Sequence, residues 1–160
     1  MSRKGPAKIR ILQPDPVFGS LTVEKLVNGA MKDGRKSAAR KQVYLAMEVL
    51  KKEVKENDAL TTLEAALDNI KPKVEVRPRR IGGAVYQVPT PVKGARQLSL
   101  ALRWLVDSSR KRPSSQFHTY GEKLAAELLA ALKNEGSSVS KRMEVERMAE
   151  ANKAFAHLRW

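Results

Sequence analysis

Lys71, Lys73, Arg77, Arg79 and Arg80 crowd into one short stretch with a single acid, Glu75, among them. The chemistry open to such a set is the gripping of phosphate. A guanidinium offers two parallel N–H donors to one anion, and several such contacts make affinity fall steeply with salt. Basic residues also block edge-to-edge strand pairing, but two or three lysines suffice for that. A second set, Arg96, Arg103 and Arg110, recurs every seven residues, and between Lys93 and Arg112 six basic residues face only Asp107. A solvated helix face mixes both signs and gains from Glu and Lys four apart; this one does neither. Arg35, Lys36, Arg40 and Lys41 form a third set, and Arg3, Lys4, Lys8 and Arg10 a fourth.

Other chemistries are poorly supplied. Zero Cys removes disulfides, thiol nucleophiles and thiolate zinc sites, and two His, His118 and His157, cannot make a His-rich metal centre. Neither His has a nucleophile or a paired carboxylate set beside it by spacing, so no catalytic residue, metal or cofactor is expected. The stretch GAMKDGRKS at 29–37 approaches a phosphate-binding loop, but Arg35 stands where Lys is needed and the preceding segment is helical where a strand should aim the loop. With only eight aromatic residues, a platform that stacks successive unpaired bases is unsupported, and recognition of shape and phosphate fits better. Tyr86 and Trp104 read as core anchors.

The elements that must carry these residues are mostly helical. Residues 1–19 hold Pro6, Pro14, Pro16 and Gly19 and are expected to form an extended basic arm. Apolar spacings of three and four then predict helices from Ser20 to the Asp33-Gly34 break, over 36–55, and over 58–70. Residues 73–88 switch to alternation around Gly82-Gly83 and predict a projecting β-hairpin, with Pro78 excluding a central strand and Pro89 and Pro91 stopping the return strand. Three further helices are expected over 95–110, 120–133 and 141–154, the last capped by Ser140 and striped by Met148, Ala151 and Phe155. In the fourth helix Leu98, Leu102 and Leu105 share one face, while Arg96, Arg103 and Arg110 line up roughly 130° away.

The sum is a mainly α single domain, residues 20–160, of about six helices with a protruding hairpin and a basic arm. Its 160 residues and 42% hydrophobic content suffice for a real core, and 31 Lys and Arg against 17 Asp and Glu leave a net charge of +14. A fold that tolerates so much self-repulsion implies a polyanionic partner, and a pI near 10.2 favours nucleic acid. There is no run of about 18 apolar residues and no signal-like start, so neither membrane association nor export is expected.

Four segments carry a family resemblance: PDPVFG at 14–19, KPKVEVRPRRIGGAVYQVP at 71–89, RQLSLALRWLV at 96–106 and MAEANKAFAHLRW at 148–160. They resemble small-subunit ribosomal protein seven of the bacterial type from about Pro14 to Trp160, with Ser114 to Tyr120 departing from the family's usual spacing. The resemblance implies a cytoplasmic ribosomal protein that binds the 3′ major domain of 16S rRNA and nucleates assembly of the subunit head beside neighbouring proteins of head and platform. It also implies that the hairpin and C-terminal helix lie near the exit-site tRNA and the mRNA path. The residues expected there are Arg79, Arg80, Gly82, Gly83, Lys141, Arg142, Lys153, Arg159 and Trp160. The expected rRNA contacts are Arg3, Lys4, Arg10, Arg35, Lys36, Lys71, Arg77, Arg79, Arg80, Arg96, Arg110, Lys111 and Arg112. Two other classes remain open on the residues alone. One is a DNA-architectural protein whose basic ribbon enters a groove; the other is a phosphodiester-cleaving enzyme.

Overall fold

A computed structural model describes Gly5, residues 11–54 and residues 58–159. Arg3, Lys4, Lys8, Arg10 and Trp160 lie outside the described residues. Ser20 caps helix α1, Leu21–Ala30, by accepting from the Thr22 N–H, and the chain reverses at Asp33 and Gly34, both with positive φ. Helices α2, Lys36–Glu53, and α3, Ala59–Ile70, follow as the spacing predicts.

Strands β1, Val74–Ile81, and β2, Ala84–Pro91, form an antiparallel ribbon closed by Gly82 and Gly83, whose φ values of 57° and 89° suit a two-residue turn. The return strand runs through Pro89 to Pro91, where the sequence predicted a stop. The register explains this. Pro78, Pro89 and Pro91 sit opposite Gln87, Val76 and Val74, positions that alternate with the hydrogen-bonded pairs, so no ladder bond is lost to their missing N–H groups. At the base, the Val92 N–H donates to the Lys73 carbonyl at 3.1 Å and keeps the same alternation.

Helices α4, Gly94–Lys111, α5, Tyr120–Leu132, and α6, Ser137–Ala151, complete the fold with a 3₁₀ helix at Lys153–Leu158. Helix α5 packs against α2, α3 and α4, and one core runs through Leu26, Val43, Leu50, Leu63, Leu105 and Leu128. The α2–α5 crossing is close because Gly121 has no side chain. Its N–H donates to Gln42 Oε1 at 2.8 Å, and a Cβ there would lie 2.7 Å from Leu45 Cδ2 and 2.8 Å from the Gln42 carbonyl oxygen. No described helix is long and apolar enough to cross a membrane.

Three expectations need correction. Helix α6 begins at Ser137, not after Ser140, because its first amides are capped from another helix: Glu127 Oε1 on α5 accepts from the Ser138 N–H at 2.9 Å and from its hydroxyl at 2.8 Å. Helix α6 also ends at Ala151, and its inward residues are Val139 and Ala149 in place of Met148 and Ala151. The positions between those two on the same face hold Arg142 and Glu146, 3.8 Å apart, so charge interrupts the apolar stripe that periodicity looks for. Third, the described end of the arm is not extended. Asp15 is buried, accepting from the N–H groups of Val17 and Phe18 and from the Tyr44 hydroxyl, and Phe18 meets the Tyr44 ring edge-on with centroids 5.5 Å apart.

Candidate nucleic-acid interface

Helix α4 is the spine of the basic surface. Its apolar face, Ala101, Leu102, Leu105 and Val106, is buried in the core, which turns Arg96, Arg103 and Arg110 outward. At 1.5 Å per residue, these three arginines span about 21 Å along the helix. The first stands at the base of the hairpin, where Arg96 Nε donates to Glu75 Oε2 at 2.8 Å and Arg77 Nε to Glu75 Oε1 at 2.6 Å. The last reaches the end of α1, where Arg110 Nη2 donates to the Ala30 carbonyl at 3.2 Å. Arg77 at the hairpin base, the α4 arginines and the end of α1 are thus linked in one basic line.

Glu75 is the hinge pin of that line at its hairpin end. Its burial pushes the carboxyl up, but the hydrogen bonds from Arg96 and Arg77 outweigh this and leave it below the usual carboxylate range. Arg96 and Arg77 spend only Nε on it, and among the described residues the terminal NH₂ groups of each have no other partner and can meet an anion.

At the α1–α2 end, buried Glu24 plays the same part. The Lys36 ammonium donates to it, Arg40 Nη2 lies 3.2 Å away, and the hydrogen bond from Lys36 holds the carboxyl below its ordinary range against the effect of burial. The GAMKDGRKS stretch sits on α1, the turn and the start of α2, with no strand before it. Arg35, at the uncapped start of α2, is exposed.

The remaining expected residues divide by partner. Arg35, Arg80, Arg103 and Lys111 are exposed and make no side-chain hydrogen bond or ion pair among the described residues. Arg79 is half-buried on the face of β1 opposite Tyr86, and Gly82 and Gly83 form the exposed tip. Lys71 pairs with Asp68 at 2.6 Å, Lys141 with Glu144 at 2.8 Å and Lys153 with Glu150 at 3.1 Å. Arg142, Lys153 and Arg159 line a groove between α6 and the hairpin base, across from Lys71, Lys73 and Val74. Tyr86 packs on Phe155 at 5.3 Å, fastening β2 to the 3₁₀ helix.

Arg112 differs from the other expected contacts. Its Nε donates to Glu127 Oε2 at 2.8 Å, its Nη2 to the Ala126 carbonyl at 3.2 Å, and its guanidinium lies over the Phe117 ring at 5.6 Å. Phe117 belongs to the segment Ser114 to Tyr120, whose Thr119 forms a capping box with Glu122 at the start of α5. The hydrogen bonds from the Thr119 and His118 amides hold the Glu122 carboxyl low.

Lys25 is a basic residue that spacing alone did not single out. It stands on the exposed side of α1 and faces the α4 line across a groove that also holds Asn28, Gly29, Ser99 and Arg103. Periodicity places Lys25 off the apolar stripe of Val23, Leu26 and Val27, yet nothing local shows that α1 lies beside α4.

Comparison with known proteins identifies the family. The family model described as Ribosomal protein S7p/S5e matches residues 2–153. The small ribosomal subunit proteins uS7 of Sulfurihydrogenibium sp. (strain YO3AOP1), Dictyoglomus thermophilum and Xylella fastidiosa (strain 9a5c) are each 52% identical to the chain over 160 residues, covering 100% of both sequences. A helical body with a β-hairpin, a basic line along one helix and full-length similarity to these proteins together place the chain in the Ribosomal protein S7p/S5e family.

Proposed function

We propose that this protein is a structural constituent of the small ribosomal subunit, not an enzyme, and that it binds 16S rRNA along the line from the hairpin through α4 to the α1–α2 turn. The observation that carries this reading is the alignment of Arg96, Arg103 and Arg110 on one helix face, tied at one end to Glu75 and at the other to Ala30. Cations spaced along a rigid helix grip a polyanion by its backbone, and the hairpin adds Arg77, Arg79 and Arg80 beyond the helix end. Arg35, Lys36, Lys71, Lys111 and the arm residues Arg3, Lys4 and Arg10 extend the same surface. For Arg77, Arg96 and Arg112 the role is double, since each holds a buried carboxylate and keeps further N–H groups for phosphate.

In this reading the rRNA partner is the 3′ major domain, and binding there nucleates the subunit head. The hairpin tip and the C-terminal segment with Lys141, Arg142, Lys153, Arg159 and Trp160 turn toward the exit-site tRNA and the mRNA. Neighbouring head and platform proteins complete the surroundings, in cytoplasmic ribosomes. Chemical footprinting on small-subunit rRNA tests this. Protection is expected within the 3′ major domain; protection confined elsewhere, or preferential binding of B-form duplex DNA, would overturn it and favour an architectural DNA protein.

A further inference from the structure

The groove between α1 and α4 has an apolar floor and a cationic rim. Leu98, Leu102 and Val106 recur along α4 at spacings of four, and Leu102 and Val106 are buried. On the opposite wall Gly29 presents no side chain. A Cβ there would meet Val106 Cγ2 at 3.8 Å, an ordinary contact, so helix packing does not demand glycine, and its absence of a side chain leaves the groove open beside the floor. Lys25, Arg103 and Arg110 stand along the rim with one acid, Asp107. Of these, Lys25 and Arg103 make no side-chain hydrogen bond or ion pair among the described residues. Asn28 and Ser99 add amide and hydroxyl groups that both donate and accept.

A row of cations is enough to hold the backbone of a duplex, and such binding makes no use of an apolar trough. A ligand that is apolar on its faces, polar at its edges and joined to phosphates on either side uses floor, walls and rim together. That is the description of an unpaired nucleotide. We infer that the α1–α4 groove receives one unpaired nucleotide of the bound RNA, its base over Leu98, Leu102 and Val106, its edge toward Asn28 and Ser99, and its flanking phosphates on Lys25, Arg103 and Arg110.

This rests on the rRNA reading above and deepens it by naming the RNA feature the protein selects. Taking a base out of a continuous helix costs a few kcal/mol, whereas a base in a loop, bulge or junction is already unstacked. The groove therefore gives preference to a junction over uninterrupted duplex, which the basic line alone cannot do. It supplies the discrimination that the described aromatic residues, none of them lining this groove, do not provide by stacking.

Two variants fill the groove without changing charge, Gly29→Leu and Ser99→Leu, both at exposed positions. Each is titrated with a 3′ major domain fragment of 16S rRNA at several salt concentrations, beside wild type and Arg103→Ala, with circular dichroism to establish folding. Filling is expected to weaken binding at least tenfold at fixed salt and to change the salt dependence less than Arg103→Ala does, since no cation is removed. One unpaired nucleotide protected from base-specific modification in the wild-type complex becomes reactive. Arg103→Ala flattens the salt dependence instead. Ser99→Leu carries the test if Gly29→Leu does not fold. Unchanged affinity and protection in a folded filled variant overturn the inference, as does weaker binding with no nucleotide newly exposed. Failure of the wild type to bind the fragment would sink the rRNA reading first, and the wild-type arm detects it separately.

Discussion

Glu75, 6% exposed on β1, accepts a hydrogen bond from Arg96 Nε in the first turn of α4 at 2.8 Å. The same carboxylate holds Arg77 of its own strand. A charged residue buried at the base of the ribbon thus ties the hairpin to the body, and two arginines that would otherwise repel are held on one carboxylate. The continuity of the basic surface depends on this one acid.

Replacing Glu75→Gln keeps the shape and removes the charge. Because Arg77 and Arg96 are about half exposed, screening limits the loss, and the expected destabilisation at neutral pH is about 1–2 kcal/mol by urea unfolding. The Glu75 carboxyl lies below its ordinary value of 4.5 in the folded state, so its stabilisation is present above that value and disappears as pH falls through the folded value beneath it. Wild type and variant therefore converge in stability as pH falls further below 4.5. A gap that stays constant from pH 7 to pH 3 contradicts this origin.

Glu127 is fully buried and holds three elements at once: Arg112 at the end of α4, its own helix α5, and Ser138 at the start of α6. Glu127→Ala leaves a partly buried guanidinium without its carboxylate and an uncapped helix, and is expected to cost about 3 kcal/mol, a fall in Tm of roughly 10 °C. Glu127→Gln retains an acceptor for Ser138 and loses less. Equal losses for the two variants would remove the charge pair from the account.

Two glycines on helices should respond with opposite signs. Gly121→Ala drives a Cβ into Leu45 and the Gln42 carbonyl at the α2–α5 crossing and is expected to destabilise by about 1–3 kcal/mol. Gly29→Ala meets only Val106 at 3.8 Å and is expected to be neutral or stabilising by up to about 1 kcal/mol. Thermal melting of both proteins reads the contrast directly.

At the hairpin, Arg79→Ala with Arg80→Ala is expected to leave the fold intact and weaken rRNA binding. The slope of log affinity against log salt should fall by about 1–2. Unchanged salt-dependent affinity, with normal function in assembled subunits, would remove the hairpin from the binding surface.

Much of this was legible in the sequence. The first five helices announce themselves because their stripes, such as Leu60, Leu63, Leu67 and Ile70, follow the helical period, and the hairpin because Gly82-Gly83 divides two alternating runs. Helix α6 was displaced because its start is capped by Glu127 from another helix and its inward face carries Arg142 and Glu146, neither of which local periodicity can register. The basic sets were visible, but not their partners. Glu24 and Glu75 each hold two of the basic residues in these sets and Glu127 holds one, all but the Glu75–Arg77 pair through contacts distant in the chain. Nor could spacing bring Lys25 to α4, since that contact exists only once α1 and α4 have packed.

Arg103 offers the most direct test of the central claim, because it stands midway along the α4 line and, among the described residues, holds no carboxylate whose release would confuse the result. The measurement is the salt dependence of binding to the 3′ major domain of 16S rRNA, for wild type and Arg103→Ala, with matched melting curves. A line of phosphate contacts along α4 predicts unchanged stability, weaker binding and a slope reduced by about 1. The same affinity and the same slope in both proteins would contradict it.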